Sequence, residues 1–593
     1  MAYQKILLIT ALSIFSLAVF SQQKDTLEDK WKHIDSLLEK EGLPQSALKE
    51  VDIIYNAAKK NDNDVHLVKA LIYKMAISDR LSDEGKYDNI KLIEQEITQA
   101  KEPARSILHS IAGGSYWRYL QMNRWQFYNR TRITNIKSDD IATMDISELY
   151  KKISDHYVAS LNNEELLKKT LLGKYDPILI KGNVRHLRPT LYDLLAFRAV
   201  DFFRNDERYL TKPSYAFEIS DSMAFADAAS FAQYEFATSD SLSMHHKALQ
   251  IFQELMAFHL DDATKEALVD ANLQRLEFVH NFGTHPQKDD LYKQALERIV
   301  AQHSNVQNIA DVMYALATWY REKGNSYDPV KDTTRRNALV KAEEWCKKAA
   351  ATKTETEGRQ HAANLLKEIT AQRITLETEK VNVADKPFRM LVSYQNVSNA
   401  HVRIIRVNPE LRRALSRDTW NDSLWQALIN IKPLNTFSTA LPDTRDHQTH
   451  RAEIKVDALS IGEYAIIAAT NKDFSVKEGA LAASFVYVSN IAYISQGDKY
   501  YVLNRVTGAP LNNASIQLWK EQYNYRTKTY TLQTPGKYTS DKNGFVRVAK
   551  SEASRQNFNY RLDITYRKDR LFLDDNRNSY VFEQAFKEPS RVE

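Results

Sequence analysis

Cysteine is nearly absent: Cys346 stands alone among 593 residues, so no disulfide can form within the chain. Glycine and proline are scarce, at 15 and 14. A chain built of β-sandwiches throughout would draw on both for its many turns, so a large helical part is expected. No apolar run is long enough for a membrane span. The longest, ILLITALSIFSLAVF from Ile6 to Phe20, has 15 residues, against the ~20 a bilayer requires. Neither charge sign dominates either. Lys and Arg number 81 and Asp and Glu 76, a formal +5 spread along the chain, which points to no nucleic-acid or membrane-surface partner. HExxH, GxSxG, Walker and CxxC patterns are all missing, so no catalytic, cofactor or metal residues and no small-molecule substrate are indicated.

The chain's beginning reads as a secretory signal. Lys5 supplies the positive start and the 15-residue run the apolar centre, while Val19 and Ser21 are the small residues read before cleavage between Ser21 and Gln22. No cysteine follows the run, which removes a simple lipoprotein anchor. Residues 1–21 are therefore expected to be removed and the protein exported, to the periplasm or the cell envelope and outer surface. The remaining chain carries +4. Cys346 lies in KAEEWCKKAA, where helical spacing gives it a packed position and no motif places a histidine beside it, so an inert thiol is expected.

From 22 to 380 the pattern is helical. Apolar residues recur at three and four, as in Leu67, Leu71 and Met75, with Asn-Asp or Gly breaks between segments. Paired helices without strands predict an α-solenoid. Ala248, Phe252 and Leu255 mark one inward helix face. Ala317 with Tyr320, answered by Ala342 and Ala349, follow the small-then-aromatic packing of a tetratricopeptide-like pair whose turn is stretched by SYDPVKDTTRR. SYWRYLQMNRWQFYNRTRI mixes aromatics with Arg118, Arg124, Arg130 and Arg132, as a single-strand nucleic-acid groove does. At helical spacing, however, Trp117, Leu120, Arg124, Phe127 and Tyr128 form a packed ridge with arginine stems along it. In NVRHLRPTLYDLLAFRAVDFF, Pro189 suits a helix start and Leu191, Leu195, Ala199 and Phe202 a buried stripe. His245 and His246, adjacent and so about 100° apart on a helix, are expected to be solvated beside Lys247. Asp261-Asp262, Asp289-Asp290 and Asp574-Asp575 read as helix starts or loop tips.

Helical periodicity gives way to alternation near 381–387. FRMLVSYQN, HVRIIRVN, THRAEIKVD, GEYAIIAATN and LAASFVYVS read as strands of a first sandwich over 388–489, with ELRRALSRD and NDSLWQALIN as short helices laid over it. A second sandwich is expected over 490–587. In it Tyr500 and Val502 face one way and Tyr501 and Leu503 the other. Thr507-Gly508 before Pro510 forces a turn, Ser515 to Trp519 alternates, and Asn543-Gly544 offers the positive φ of a tight hairpin before Phe545. The fold class is thus α+β multidomain: a helical solenoid followed by two antiparallel β-sandwiches.

The wording NRVTGAPLNNASIQLW followed by YTSDKNGFVRV resembles the macroglobulin-type sandwich near the front of bacterial alpha-2-macroglobulin family proteins. The aromatic-arginine and NVRHLRPTLYDLL stretches resemble the N-terminal helical region of such proteins in Bacteroidetes-like bacteria, so the likeness covers nearly the whole mature chain. It implies two macroglobulin-like (MG2-type) domains, and the N-terminal scaffold portion of a non-enzymatic conformational protease trap, an endopeptidase inhibitor. A target protease would then be the partner, engaged by a longer chain carrying further domains past Glu593. The family's internal thioester joins a Cys to a Gln a few residues on. Cys346 is followed by Lys347, Lys348 and Ala349, so neither thioester nor bait segment is expected here. The other expectation, from a different class, is an exported interaction scaffold that binds an envelope protein or peptide through the solenoid.

Overall fold

The structure is a computed structural model. It describes residues 26–81, 85–128, 141, 144–205, 214–408, 411, 422–524, 526, 529–534, 536–548, 559–573 and 577–578. The signal-cleavage residues Ser21 and Gln22, the ELRRALSRD segment past Leu411, Arg130, Arg132 and Asp574-Asp575 lie outside the described residues. The fold is α+β, and the chain divides into two compact units. One comprises Met1–Leu316 with Ala351–Arg359, the other Ala317–Ala350 with Gln360–Glu593. None of the described helices is long and apolar enough to cross a membrane.

The first unit is helical, each helix packing on the next or next but one. Leu27–Glu39 starts on a capping box in which Thr26 and Asp29 satisfy each other's backbone amides, and Trp31, Ile34 and Leu37 form its buried stripe. Pro44 opens Pro44–Lys60 at a position where its missing N–H costs nothing. Leu191–Phe203 is capped by Thr190 and Asp193 rather than by Pro189. Leu191, Leu195, Ala199 and Phe202 are buried along it as the spacing predicts. In Ala104–Met122, Trp117 meets Tyr150 and Phe202 edge-on. Leu120 and Phe127 are buried nearby, whereas Trp125 is exposed. The aromatic-arginine stretch is thus largely packing.

The second unit holds the end of helix Ile309–Asn325, the helix Ala338–Ala350, most of Glu357–Thr370, and all the described strands. Gly324 lets the first two helices approach: a Cβ there would sit 2.6 Å from Leu339 Cγ. The strands of the first sandwich are β1 Arg373–Thr378, β2 Val381–Asn382, β3 Phe388–Gln395, β4 Asn399–Arg406, β5 Asn435–Ala440, β6 His450–Val456, β7 Gly462–Ala469 and β8 Leu481–Val488. One sheet runs β1-β3-β6 and the other β2-β8-β7-β4-β5, antiparallel except that β2 runs parallel to β8. Met390, Val392, Val402, Ile404, Tyr464 and Ile466 fill the space between them. The alternate residues Ile405, Ala465, Ile467 and Ala469 are buried too. Helix Asp422–Ile429 covers that outer face with Trp425 and Leu428, where NDSLWQALIN predicts a helix. β1 is a correction: it begins inside the stretch read as helical to 380 and pairs along its whole length with β3.

The second sandwich has β9 Ile491–Gln496, β10 Lys499–Asn504, β11 Ser515–Asn524, β12 Thr529–Gln533, β13 Lys537–Thr539, β14 Phe545–Arg547, β15 Asn559–Tyr566, β16 Asp569–Phe572 and β17 Arg577–Asn578. Its sheets are β14-β10-β9 and β12-β11-β15-β16, with β13 on β11 and β17 on β15. Tyr500 and Val502 face the core and Tyr501 faces out, in the expected phase. The hydroxyls of Tyr500 and Tyr560 meet at 2.7 Å inside the core and tie one sheet to the other. The Asn543-Gly544 turn forms, with Gly544 at φ +72°. It closes no hairpin, because β13 pairs with β11 and β14 with β10. The turn instead carries the chain from one sheet to the other, and a side chain on Gly544 would run into the Val502 carbonyl.

Candidate functional site

In the second unit, the loop from Pro442 to Thr449 between β5 and β6 builds a buried polar cluster around Asp446 and Gln448. Arg445 and His447 both take positive φ, +51° and +56°. This turns the side chain of Asp446, between them, inward, where it is 1% exposed. That carboxylate accepts four hydrogen bonds: from Arg336 Nε at 3.0 Å, His450 Nε2 at 2.8 Å, Thr444 Oγ1 at 2.9 Å and the Gln448 amide at 3.0 Å. Burial alone would raise its pKa, but these donors hold it well below the usual carboxylate range. His447 spans two elements, with Nδ1 2.7 Å from Asn396 Oδ1 and Nε2 3.0 Å from Glu343 Oε2. Asn396 donates to the carbonyls of Ile369 and Ala371, and Gln448 to that of Gly324. The loop therefore locks the ends of three helices to the sheet β1-β3-β6.

Beside this loop lies an open cavity of about 370 Å³, lined among others by Arg321, Tyr327, Glu368, Arg373, His447 and His450. Sequence reasoning missed both loop and cavity. The only signal was the run Thr444-Arg445-Asp446-His447-Gln448-Thr449-His450, dense in charge and imidazole but without periodicity. Its partners lie about a hundred residues away in sequence.

Two buried clusters in the helical unit invite a catalytic reading, and their geometry opposes it. His259 is 1% exposed, with Nε2 2.8 Å from Asp193 and Nδ1 2.7 Å from Asp262. Burial disfavours its protonation, yet hydrogen bonds and charge from Asp193 and Asp262 outweigh that and raise its pKa. With both ring nitrogens engaged by carboxylates, it has no lone pair with which to act as a base. Thr190, the nearest hydroxyl to Asp193, is spent on the helix cap. In the second cluster, His156 lies between His109 Nδ1 at 3.1 Å and Glu94 Oε1 at 3.1 Å, and Lys152 and Tyr116 also reach Glu94. Burial pushes Glu94 up, but His156 and Lys152 pull it down to about 2. Burial, then the neighbouring His156, lowers His109 to about 4.

The other residues singled out by sequence have structural places. Cys346 is fully buried with Ala342 and Ala349 on the inward face of its helix, and burial pushes its thiol up to about 12. His245 and His246 are not solvated, because Met244–His259 turns both toward neighbouring elements. His245 packs on Phe278 and Phe282, His246 Nε2 meets the Phe236 carbonyl at 2.8 Å, and Lys247 donates to Ser154. Asp289 opens a helix and contacts His280. Among the described residues no group of three His, Cys, Asp or Glu side chains is placed to hold a metal ion.

No protein-family model matches the chain, and no curated protein matches it. Two solved structures show limited likeness. Native alpha-2-macroglobulin from Escherichia coli, spanning domains NIE-MG1, is 16% identical over 35% of this chain and 97% of that one, with a TM-score of 0.24. Red sea bream transglutaminase is 11% identical over 36% of this chain and 32% of that one, with a TM-score of 0.17. Both scores are too low to bear on the fold or the activity of this chain.

Proposed function

We propose that this chain is the N-terminal scaffold portion of an alpha-2-macroglobulin-like protease inhibitor, exported to the bacterial cell envelope and acting by conformational change rather than catalysis. The observation that supports the reading is the tandem of antiparallel sandwiches. The phrases that resemble the family, Asn504 to Trp519 and Tyr538 to Val548, run from the end of β10 into β11 and from β13 through β14 of the second one. The helices before them are read as a degenerate tetratricopeptide-like solenoid. A rigid joint such as the Asp446 loop suits a scaffold that must transmit strain between modules, since packed, fully hydrogen-bonded contacts switch between discrete arrangements rather than deform.

A protection assay tests the reading. Several proteases are incubated with a large protein substrate and either the 593-residue chain or a longer product of the same reading frame. The chain alone is expected neither to hydrolyse the substrate nor to protect it, and the longer product is expected to protect and to form a stoichiometric complex. Hydrolysis by the purified chain, or a longer product that leaves every protease free, would sink the proposal.

A further inference from the structure

The cavity beside the Asp446 loop holds positive charge that the protein itself does not neutralise. The side chain of Arg321 makes no hydrogen bond to any described residue. Its Nε is buried without an acceptor, and the nearest carboxylate, Glu368, stops 3.9 Å from NH1, beyond hydrogen-bond length. The side chain of Arg373, exposed at the first position of β1 opposite Gln395, has no hydrogen-bond or ion-pair partner among the described residues. The remaining acids around the cavity are already committed. Asp446 is filled by its four donors, and Glu343 is held by Lys347 at 2.8 Å and His447 at 3.0 Å. Both histidines on the wall, His447 and His450, have their Nε2 on those carboxylates. The cavity thus presents two guanidinium groups against one loosely placed carboxylate, leaving one positive charge uncompensated.

We propose that this cavity binds a carboxylate group, carried by a polypeptide or by a small organic acid. A guanidinium presents parallel N–H donors in a plane, the arrangement a carboxylate meets with two hydrogen bonds. One uncompensated charge matches a monoanion better than a dianion such as phosphate. At about 370 Å³ the space accepts a chain terminus or an acidic side chain with its neighbouring backbone. Tyr327 on the wall offers an apolar ring to whatever carries the acid.

Titration calorimetry on the full chain tests this with four probes: acetyl-Ala-Ala-Val-Ala with a free C-terminal carboxylate, the same peptide as its C-terminal amide, propionate, and inorganic phosphate. The free-acid peptide or propionate is expected to bind with a dissociation constant on the order of 1 mM or tighter, and the amide not at all. Which of the two acids binds better separates a polypeptide source from a metabolite. Arg373→Gln, at an exposed position, is expected to weaken binding at least about tenfold with an unchanged melting curve. Arg321→Gln is expected to do the same, its circular dichroism confirming that it folds. Binding of the amide equal to the acid, phosphate binding tighter than either carboxylate, binding untouched by both substitutions, or no heat from any probe would each overturn the proposal.

Discussion

A thiol raised to about 12 and closed off from solvent is a poor nucleophile at any physiological pH, because the reactive thiolate is almost absent. Cys346 should therefore react with a disulfide reagent only when the helix around it opens. The expected outcome is one equivalent of slow reaction in the native protein and rapid reaction in urea, with no mass gained from methylamine. Fast native labelling would show that the face bearing Ala342 and Ala349 opens readily. Histidine gives the second prediction at this scale. His109 titrates at about 4 in the fold against an ordinary 6.5, so the folded state prefers it neutral. Its contribution is complete above pH 6.5 and is lost as pH falls toward 4. Glu94, held at about 2 against 4.5, adds a loss beginning lower, below pH 4.5. The melting temperature followed by helical dichroism should fall by a few degrees between pH 6.5 and 4, roughly as such linkage predicts. His109→Gln should reduce that slope, which His66 and His303, also lowered by burial, share, and leave the one below pH 4.5. An unchanged slope would show that His109 titrates normally.

Elements differ in how plainly their residues announce them. β3, β4 and β7 are legible because alternation and β-branched runs coincide, and helix Asp422–Ile429 because Leu424 and Leu428 recur at four. β1 is not legible. RITLET follows helix Glu357–Thr370 with only Ala371 and Gln372 between and no glycine or proline to mark the change. Only its pairing with β3, a tertiary fact, decides it. The turn at Gly544 is readable from Asn-Gly, but which strands it joins depends on partners far away. The candidate site is the least legible part, since the Asp446 loop has meaning only once Arg336 and Glu343 are beside it. This changes where a protease should cut. The break in periodicity singles out 378–386 as the first cleavage site. There, however, the Tyr487 amide donates to the Lys380 carbonyl, and Val381 and Asn382 pair with β8. By contrast Ile180 is fully exposed beside Lys181, and residues 180–183 make no backbone hydrogen bond to another described residue. Limited trypsin treatment should therefore cut after Lys181 before it cuts after Lys380. An early fragment starting at Val381 would show that β1 and β2 detach from the sandwich.

For the whole molecule, the division into units implies that the first sandwich is not a freestanding module with its boundary at the end of helical periodicity. The unit containing it also takes in the end of Ile309–Asn325, Ala338–Ala350 and most of Glu357–Thr370. A fragment begun at Val381 would lose β1, and with it the buried Ile374, uncovering the edge of β3. It would also take Arg336 from Asp446, Glu343 from His447, the Gly324 carbonyl from Gln448, and the Ile369 and Ala371 carbonyls from Asn396. Where a group stays buried, losing such a partner costs about 1–3 kcal/mol, a sizeable share of the stability of a typical domain. A fragment begun at Ile309 retains all of these partners. Expressed side by side, the longer fragment should melt cooperatively. The shorter should melt at least about 10 °C lower or fail to fold, by the usual relation between stability lost and melting temperature. Asp446→Asn in the longer fragment should reproduce part of that drop, because it removes the buried charge while keeping the size of the side chain. Equal melting of the two fragments would mean that the sandwich needs nothing from the helices, and that the Asp446 loop is an ornament of the fold rather than its joint.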